Sequence, residues 1–495
     1  MARTKTRYRV LVSTLGLALV ATSAPEMSSA WEATTTHAGL TEQAALHSHL
    51  HQRLRDQLGI ERGLFSQLTV PPADAPELFK VLRTLNPTHG YVPDSRGRLL
   101  ALGWLAAGSV VADGPPKHAA NHFYDPERKA GLSDETLRDD PDRLRHGYNT
   151  RRAAEQIVRQ GMSAIEWLTH EQNPMNLDGF IDQYAKAVSA RTPAERSRHI
   201  AGSLLAAGAL LHVLQDMGSP SHVRNDLAAH LQVVGNDQAD VGSRFERLAA
   251  LAYGRLSVPE GAASVSAPTL SAFFSTEKYE GLADRTAQSW FSRFTLPKTI
   301  RLAPGAGSSA IGEQLAKSLA RPYPAPLPRL DLDAARSPSG GRLVNDQGVC
   351  LANYHLVEDR LMWSMDDQCA AEQIAVILPE VSAYSSGLLD YLYRGVIELR
   401  RDGGVWVAAT AGAEFGPGEV QIFWDDGRGV RESLSEKKKV EKTAAGEVLA
   451  TMSKLPRGAQ AIAVLFRGTD QLGEPLVAAG YIKTVAPAKA AKKQP

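Results

Sequence analysis

Histidine and carboxylate side chains recur in this sequence at spacings that can hold a cation. In the run from Gly208 to His222, His212 and Asp216 stand four residues apart. On a helix such residues lie one above the other on one face, so an imidazole and a carboxylate there can grip one ion. Leu204, Leu205, Ala207, Leu211 and Leu214 surround them and would bury that face. A buried carboxylate without compensation is costly, and a cation would remove the cost; taken alone, the pair also reads as a His–Asp hydrogen bond at a helix end. His222 follows a Gly218-Ser219-Pro220 break, which places a third donor beside the helix end, and Glu246 opens a later helix. Imidazole and carboxylate donors without a cysteine set suit zinc and argue against a structural zinc finger.

Two further groups lie upstream. Asp113 occupies a turn, and His122 heads the segment Phe123-Tyr124-Asp125-Pro126. Alone, these would read as a helix cap and a packed histidine, and His118, four residues before His122, is an alternative donor. Nearer the start, Arg3, Lys5, Arg7 and Arg9 precede an apolar stretch from Val10 to Ala21, and Ser28-Ser29-Ala30 has the small residues of a cut site. This pattern is expected of a secretory signal over 1–30. Cleavage after Ala30, with Ala21 and Ala24 as other small-residue positions, would leave Trp31 with a free amine six residues from His37. A free terminal amine can bind metal. The chain is accordingly expected to be secreted or periplasmic.

With these motifs in order, the chain resembles the secreted zinc-dependent phospholipases C and the related single-strand-specific nucleases. The resemblance rests on Trp31 and His37, on Asp113 with His122 to Pro126, and on His212, Asp216 and His222 with the later Phe245-Glu246. It implies three zinc ions in one cleft of an all-helical domain. One would be held by Asp113, His122, His212 and Asp216; a second by the amine and carbonyl of Trp31 with His37 and the bridging Asp216; a third by His222, Glu246 and a further histidine. The family places that histidine four residues before the glutamate, where this chain has Gly242. His230 or Asp240 would have to substitute. The implied reaction is hydrolysis of a phosphodiester by hydroxide generated on zinc, with Asp113 as general base. A phospholipid or membrane surface is the expected substrate. The alternatives are a nuclease cutting single strands, for which Tyr124, Trp104 and Arg224 could supply stacking and phosphate contacts, and a non-catalytic binding protein on the same scaffold.

These residues need elements to position them. The 495 residues exceed what one hydrophobic core usually serves, and 43% hydrophobic with 22% charged residues is ordinary for a globular protein. Loss of the signal would change the formal charge from +1 to −2, which gives no electrostatic case for duplex nucleic-acid binding. Helical periodicity runs over Thr41 to Leu64, Leu78 to Leu85, Arg151 to Leu168, Ile181 to Ala190, Ala194 to Met217, Phe245 to Leu256, Leu351 to Met365 and Ala370 to Leu392. Strand patterns cover 405–408, 420–424, 462–466 and 477–485. The expected fold is an all-α multi-helix metal-binding domain over 31–400, then a small all-β, sandwich-like domain over 401–486 and a disordered tail over 487–495. No long apolar run past the signal reads as a membrane span. Lys437, Lys438 and Lys439 read as a solvated loop or edge, with a lipid-headgroup patch as the alternative, and Asp425, Asp426 and Asp470 are too few for a calcium site. The alternating His47, His49 and His51 point different ways on a helix and make no joint site. Cys350 and Cys369, the only cysteines, are expected to form a disulfide in an exported chain.

Overall fold

The computed structural model describes residues 33–85, 91–114, 116–132, 161–230, 244–253, 263–302, 330–412 and 414–484. The signal segment, Trp31, Asp240, Gly242 and the tail lie outside the described residues. Nine helices of eight residues or more occur among those described: α1 (Ala38–His47), α2 (Leu50–Leu58), α3 (Pro76–Leu85), α4 (Ala101–Val111), α5 (Leu177–Ser189), α6 (Pro193–Asp216), α7 (Arg244–Ala252), α8 (Leu282–Ser289) and α9 (Asp367–Leu392).

The long helix α6 is the axis. Thr192 caps it in a reciprocal box with Glu195, and Pro193 takes the first helical position, where its missing N–H costs nothing. Every residue from Ser203 to Asp216 is buried. The helix is long and apolar enough to cross a membrane by composition, contrary to the sequence reading, yet 78% of its apolar window is buried inside the protein, which makes it a core helix. Helices α4, α5 and α9 pack around it. Contact with α4 is unusually close. A Cβ on Gly108 would lie 2.1 Å from the Leu205 carbonyl oxygen, and one on Gly208 would lie 2.0 Å from that of Leu105.

Several expected helices differ. The span from Thr41 to Leu64 breaks at Ser48-His49 into α1 and α2, and Gly59, with φ of 69°, ends α2 in the left-handed conformation. Within Arg151 to Leu168 the described helix is only Ala164–Trp167, opened by a Ser163–Glu166 capping box. Leu351 to Met365 is a β-hairpin. It belongs to a four-stranded sheet of β3 (Ile300–Arg301), β4 (Gly341–Val344), β5 (Cys350–Val357) and β6 (Arg360–Ser364), so the metal-side region is not purely helical; a two-stranded ribbon, β1 (Gln67–Thr69) with β2 (Arg98–Leu100), precedes it. Period two wins there because Cys350, Ala352 and Tyr354 all bury one face, Tyr354 pairs across the strands with Trp363, and Glu358 turns the chain at a φ of 57°. Cys350 at the start of β5 is disulfide-bonded to Cys369 in the first turn of α9.

The C-terminal region is all β: β7 (Gly395–Asp402), β8 (Val405–Ala411), β9 (Phe415–Asp425), β10 (Arg431–Ser433), β11 (Lys438–Val440), β12 (Val448–Met452), β13 (Ala461–Asp470) and β14 (Pro475–Lys483). They form one eight-stranded sheet in the order β10-β9-β13-β14-β7-β8-β12, with β11 also on β9; β14 and β7 pair in parallel and the other pairs are antiparallel. Alternation along β13 and β14 divides their side chains between two cores. Ile462, Val464, Phe466, Leu476 and Ala478 pack within the β region, whereas Ala463, Leu465, Val477 and Ala479 join the helical core. Lys438 and Lys439 are exposed on the short strand β11, as an edge requires. A buried clasp ties the regions together. Arg431 is held by Asp425 at 2.6 and 2.8 Å and donates to the Val188 carbonyl at the end of α5, and Arg196 donates to Gly429 O at 2.7 Å.

The disulfide closes a loop of nineteen residues, which by the chain-entropy model stabilises the fold by about 3 kcal/mol. Replacing both cysteines by alanine should lower the urea midpoint accordingly; an unchanged midpoint would show that the β5–α9 junction needs no cross-link.

Candidate metal centre

The α4–α6 contact delivers the first donors. It brings the Ser109 carbonyl within 2.7 Å of His212 Nδ1. A carbonyl only accepts, so Nδ1 carries the proton and Nε2 offers a lone pair, 3.2 Å from Asp113 Oδ1 and 3.4 Å from Asp216 Oδ2. From the start of α1, His37 stacks on His212 with ring centroids 3.7 Å apart and sets Nε2 3.2 Å from Asp216 Oδ1. Its Nδ1 lies 2.8 Å from Gln215 Oε1, and Gln215 Nε2 donates to Thr41 Oγ1 at 3.1 Å. His122 Nδ1 lies 3.2 Å from Asp113 and 3.0 Å from Asp216.

The third group forms where the chain leaves α6. Pro220–Val223 and Leu227–His230 are single helical turns carrying His222 and His230. His222 Nδ1 donates to the His122 carbonyl at 2.8 Å, while Tyr124 N donates back to the His222 carbonyl at 3.2 Å, so the two segments clasp each other. The freed His222 Nε2 sits 3.3 Å from His230 Nδ1, which is 3.6 Å from Glu246 Oε2. Ser219 and Ser221 donate to Glu246 Oε1 at 2.9 and 3.1 Å, and Phe123 stacks on the His222 ring.

Three sets of donor atoms thus lie within 4.8 Å of one another: His37, His212 and Asp216; Asp113, His122 and His212; and His222, His230 and Glu246. Each could hold a metal ion. Of these eight side chains only Asp113, 15% exposed, reaches solvent appreciably. Both oxygens of Asp113 and of Asp216, both ring nitrogens of His122 and Nε2 of His212 are buried with no hydrogen-bond partner. Native interiors rarely leave such atoms unanswered. An all nitrogen-and-oxygen donor set with facing lone pairs fits a divalent cation.

The electrostatics agree. Burial would raise both aspartates, yet the imidazoles beside them hold Asp113 and Asp216 well below the usual carboxylate range. Burial opposes charge on His122 as well, but the two carboxylates push it up to about 9. In the third group burial at His230 is outweighed by Glu246, which raises it, while burial dominates at the other two. Burial drives His222 down to about 3 and Glu246 up to about 7. Without a cation, the first groups hold negative charge that only protonated histidines can offset.

Other expected participants stand elsewhere. Trp104 is wholly buried with Nε1 directed at the Leu68 carbonyl, and Arg224 donates to the Trp290 and Ala287 carbonyls, so neither offers a surface for nucleic acid. Tyr124 is also buried. His118 packs beside Trp167 and joins none of the three groups. His49 pairs with Asp390, and neither it nor His47 and His51 belongs to a group. The sequence reading overlooked Gln215, Ser109, Ser219 and Ser221. The signal for Gln215 was there: an amide beside Asp216 in an otherwise apolar helix must find partners inside.

No protein-family model matches the chain, and neither does any curated protein. Among solved structures, the alpha toxin of Clostridium absonum is 12% identical, covering 91% of this chain and 92% of its own, with a TM-score of 0.30. The Clostridium perfringens alpha-toxin from avian strain SWCP is also 12% identical, covering 92% and 94%, with a TM-score of 0.24. Scores this low transfer no function.

His212 serves two of the three groups and His230 one. Elemental analysis of purified protein should therefore show a larger loss of bound metal in His212→Ala than in His230→Ala. Equal losses would refute the shared donor.

Proposed function

We propose that the chain is an exported zinc-dependent phosphodiester hydrolase of the phospholipase C type. The observation that carries this reading is the set of buried, facing lone pairs on Asp113, His122, His212 and Asp216, with His37 alongside and a second nest at His222, His230 and Glu246. Nitrogen and oxygen donors without thiolate suit zinc. Bound there, zinc would lower the proton affinity of water and offset charge on the attacking and leaving oxygens of an in-line displacement.

The chain's own groups supply orientation and proton handling. Asp113 sits where the buried set meets solvent, and the imidazoles of His212 and His122 keep its carboxylate ionised. It can accept a hydrogen bond from the attacking water and take its proton as the bond to phosphorus forms. Burial of His37, His212 and Asp216 excludes bulk water behind the reacting groups, which strengthens every charge interaction among them. Lipid is favoured over single-stranded nucleic acid because Trp104 and Arg224, the candidate stacking ring and phosphate cation, are committed to the interior. The proposal includes the amine of Trp31 as a further donor beside His37 and Asp216, completed when the preceding segment is removed. It also keeps His230 as the third group's second histidine.

Purified protein should release diacylglycerol from phosphatidylcholine, lose that activity with chelator and leave single-stranded DNA intact; release of nucleotides instead would replace the reading with a nuclease. Asp113→Asn should keep its thermal midpoint within a few degrees while turnover falls roughly 10²–10⁴-fold, and native-like turnover would remove Asp113 from the chemistry. A chain carrying one additional residue before Trp31 should bind less metal than one beginning at Trp31.

A further inference from the structure

We infer that Gln215 is a positioning residue that sets the tautomer of His37 and so decides which ring nitrogen faces the metal centre. Three histidines of the centre are anchored through Nδ1, and two of them, His212 and His222, meet backbone carbonyls, which only accept. Their tautomers are fixed by the fold. The anchor of His37 is a side-chain amide, and an amide has an accepting end and a donating end. With Oε1 toward His37, the imidazole carries its proton on Nδ1 and turns a lone pair on Nε2 toward Asp216, 3.2 Å away. With the amide reversed, Nε2 would carry the proton and donate it to Asp216, and His37 would be closed to a cation.

Thr41 breaks the symmetry. Gln215 Nε2 lies 3.1 Å from Thr41 Oγ1, and Thr41 stands one helical turn after His37. A threonine hydroxyl in a helix can give its proton to the carbonyl one turn back, and its lone pair then takes the amide N–H, the arrangement that the Gln215 Nε2–Thr41 Oγ1 contact fits. The accepting end of Gln215 then faces His37. All three groups are wholly buried, so water cannot relax the choice. The sequence places the pieces without slack: Gln215 precedes the donor Asp216 on α6, whereas His37 and Thr41 share one face at the start of α1.

The inference rests on the metal-centre reading only for its consequence, since the tautomer is measurable without metal. Nitrogen-15 NMR of the metal-free protein, with His37 assigned, should show Nδ1 protonated and Nε2 bare. In Gln215→Leu the proton should move to Nε2, and chelator competition should show affinity for the first ion lowered roughly 10- to 100-fold. Gln215→Glu, whose carboxylate only accepts, should keep the Nδ1–H form and the affinity. Thr41→Val should mix the two tautomers, while Thr41→Ser restores the native one. Gln215→Glu and the two Thr41 variants decide the matter if the leucine variant does not fold. An Nε2–H imidazole in the native protein, or native tautomer and affinity in Gln215→Leu, would overturn the assignment. Absence of metal binding by the native protein would defeat the metal reading and leave the tautomer result to judge Gln215.

Discussion

Everything at the candidate centre depends on how closely α4 can approach α6. Gly108 and Gly208 remove the two Cβ atoms that would hold the helices apart, and each faces a backbone carbonyl of the other helix at about 2 Å from where its Cβ would stand. A larger residue at either place would drive backbone against backbone, which cannot yield as a side-chain tip can. The contact sets the Ser109 carbonyl against Nδ1 of His212 and carries Asp113, just past the end of α4, to Nε2 of the same ring. Two helices far apart in sequence thereby place a donor, its orienting group and a carboxylate within a few ångströms.

Much of this is legible in the sequence. The four-residue spacing of His212 and Asp216 implied one helix face, and the apolar residues around them implied that this face is buried. Motif order grouped Asp113 with His122, and His222 with Glu246. The glycine contact was not legible, because two small residues in apolar helices carry no sign of which partner each will meet. Nor were Ser219 and Ser221, whose hydroxyls act only once Glu246 folds back on the turn. Leu351 to Met365 misled because short apolar runs satisfy helical and strand periods alike, and tertiary burial of Cys350, Ala352 and Tyr354 settled the period.

The β region was recognisable from four apolar runs, but its attachment was not. Central strands β13 and β14 are continuously apolar over Ala461 to Phe466 and Leu476 to Ala479 because each face there has its own core to fill, one within the sheet and one against the helices. Arg431, fixed by Asp425, reaches the end of α5 just before the chain turns into α6. Breaking that buried pair would strand a carboxylate in the interface. The sheet is therefore built into the same body as the helix bearing His212 and Asp216.

The scattering of the donors along the chain has a consequence for the order of assembly. His37, Asp113, His122, His212 and Glu246 come from segments separated by most of the first half of the sequence, and each depends on a partner supplied by another segment. The sets of His37, His212 and Asp216 and of Asp113, His122 and His212 are each drawn from distant segments, whereas His222, His230 and Glu246 lie close together in the chain. Loop closure over such separations is slow and must precede any reward from the ion. At the two scattered sets a cation thus cannot act as a template that gathers the chain early. There a cation would read out a body already folded and would play no part in shaping it.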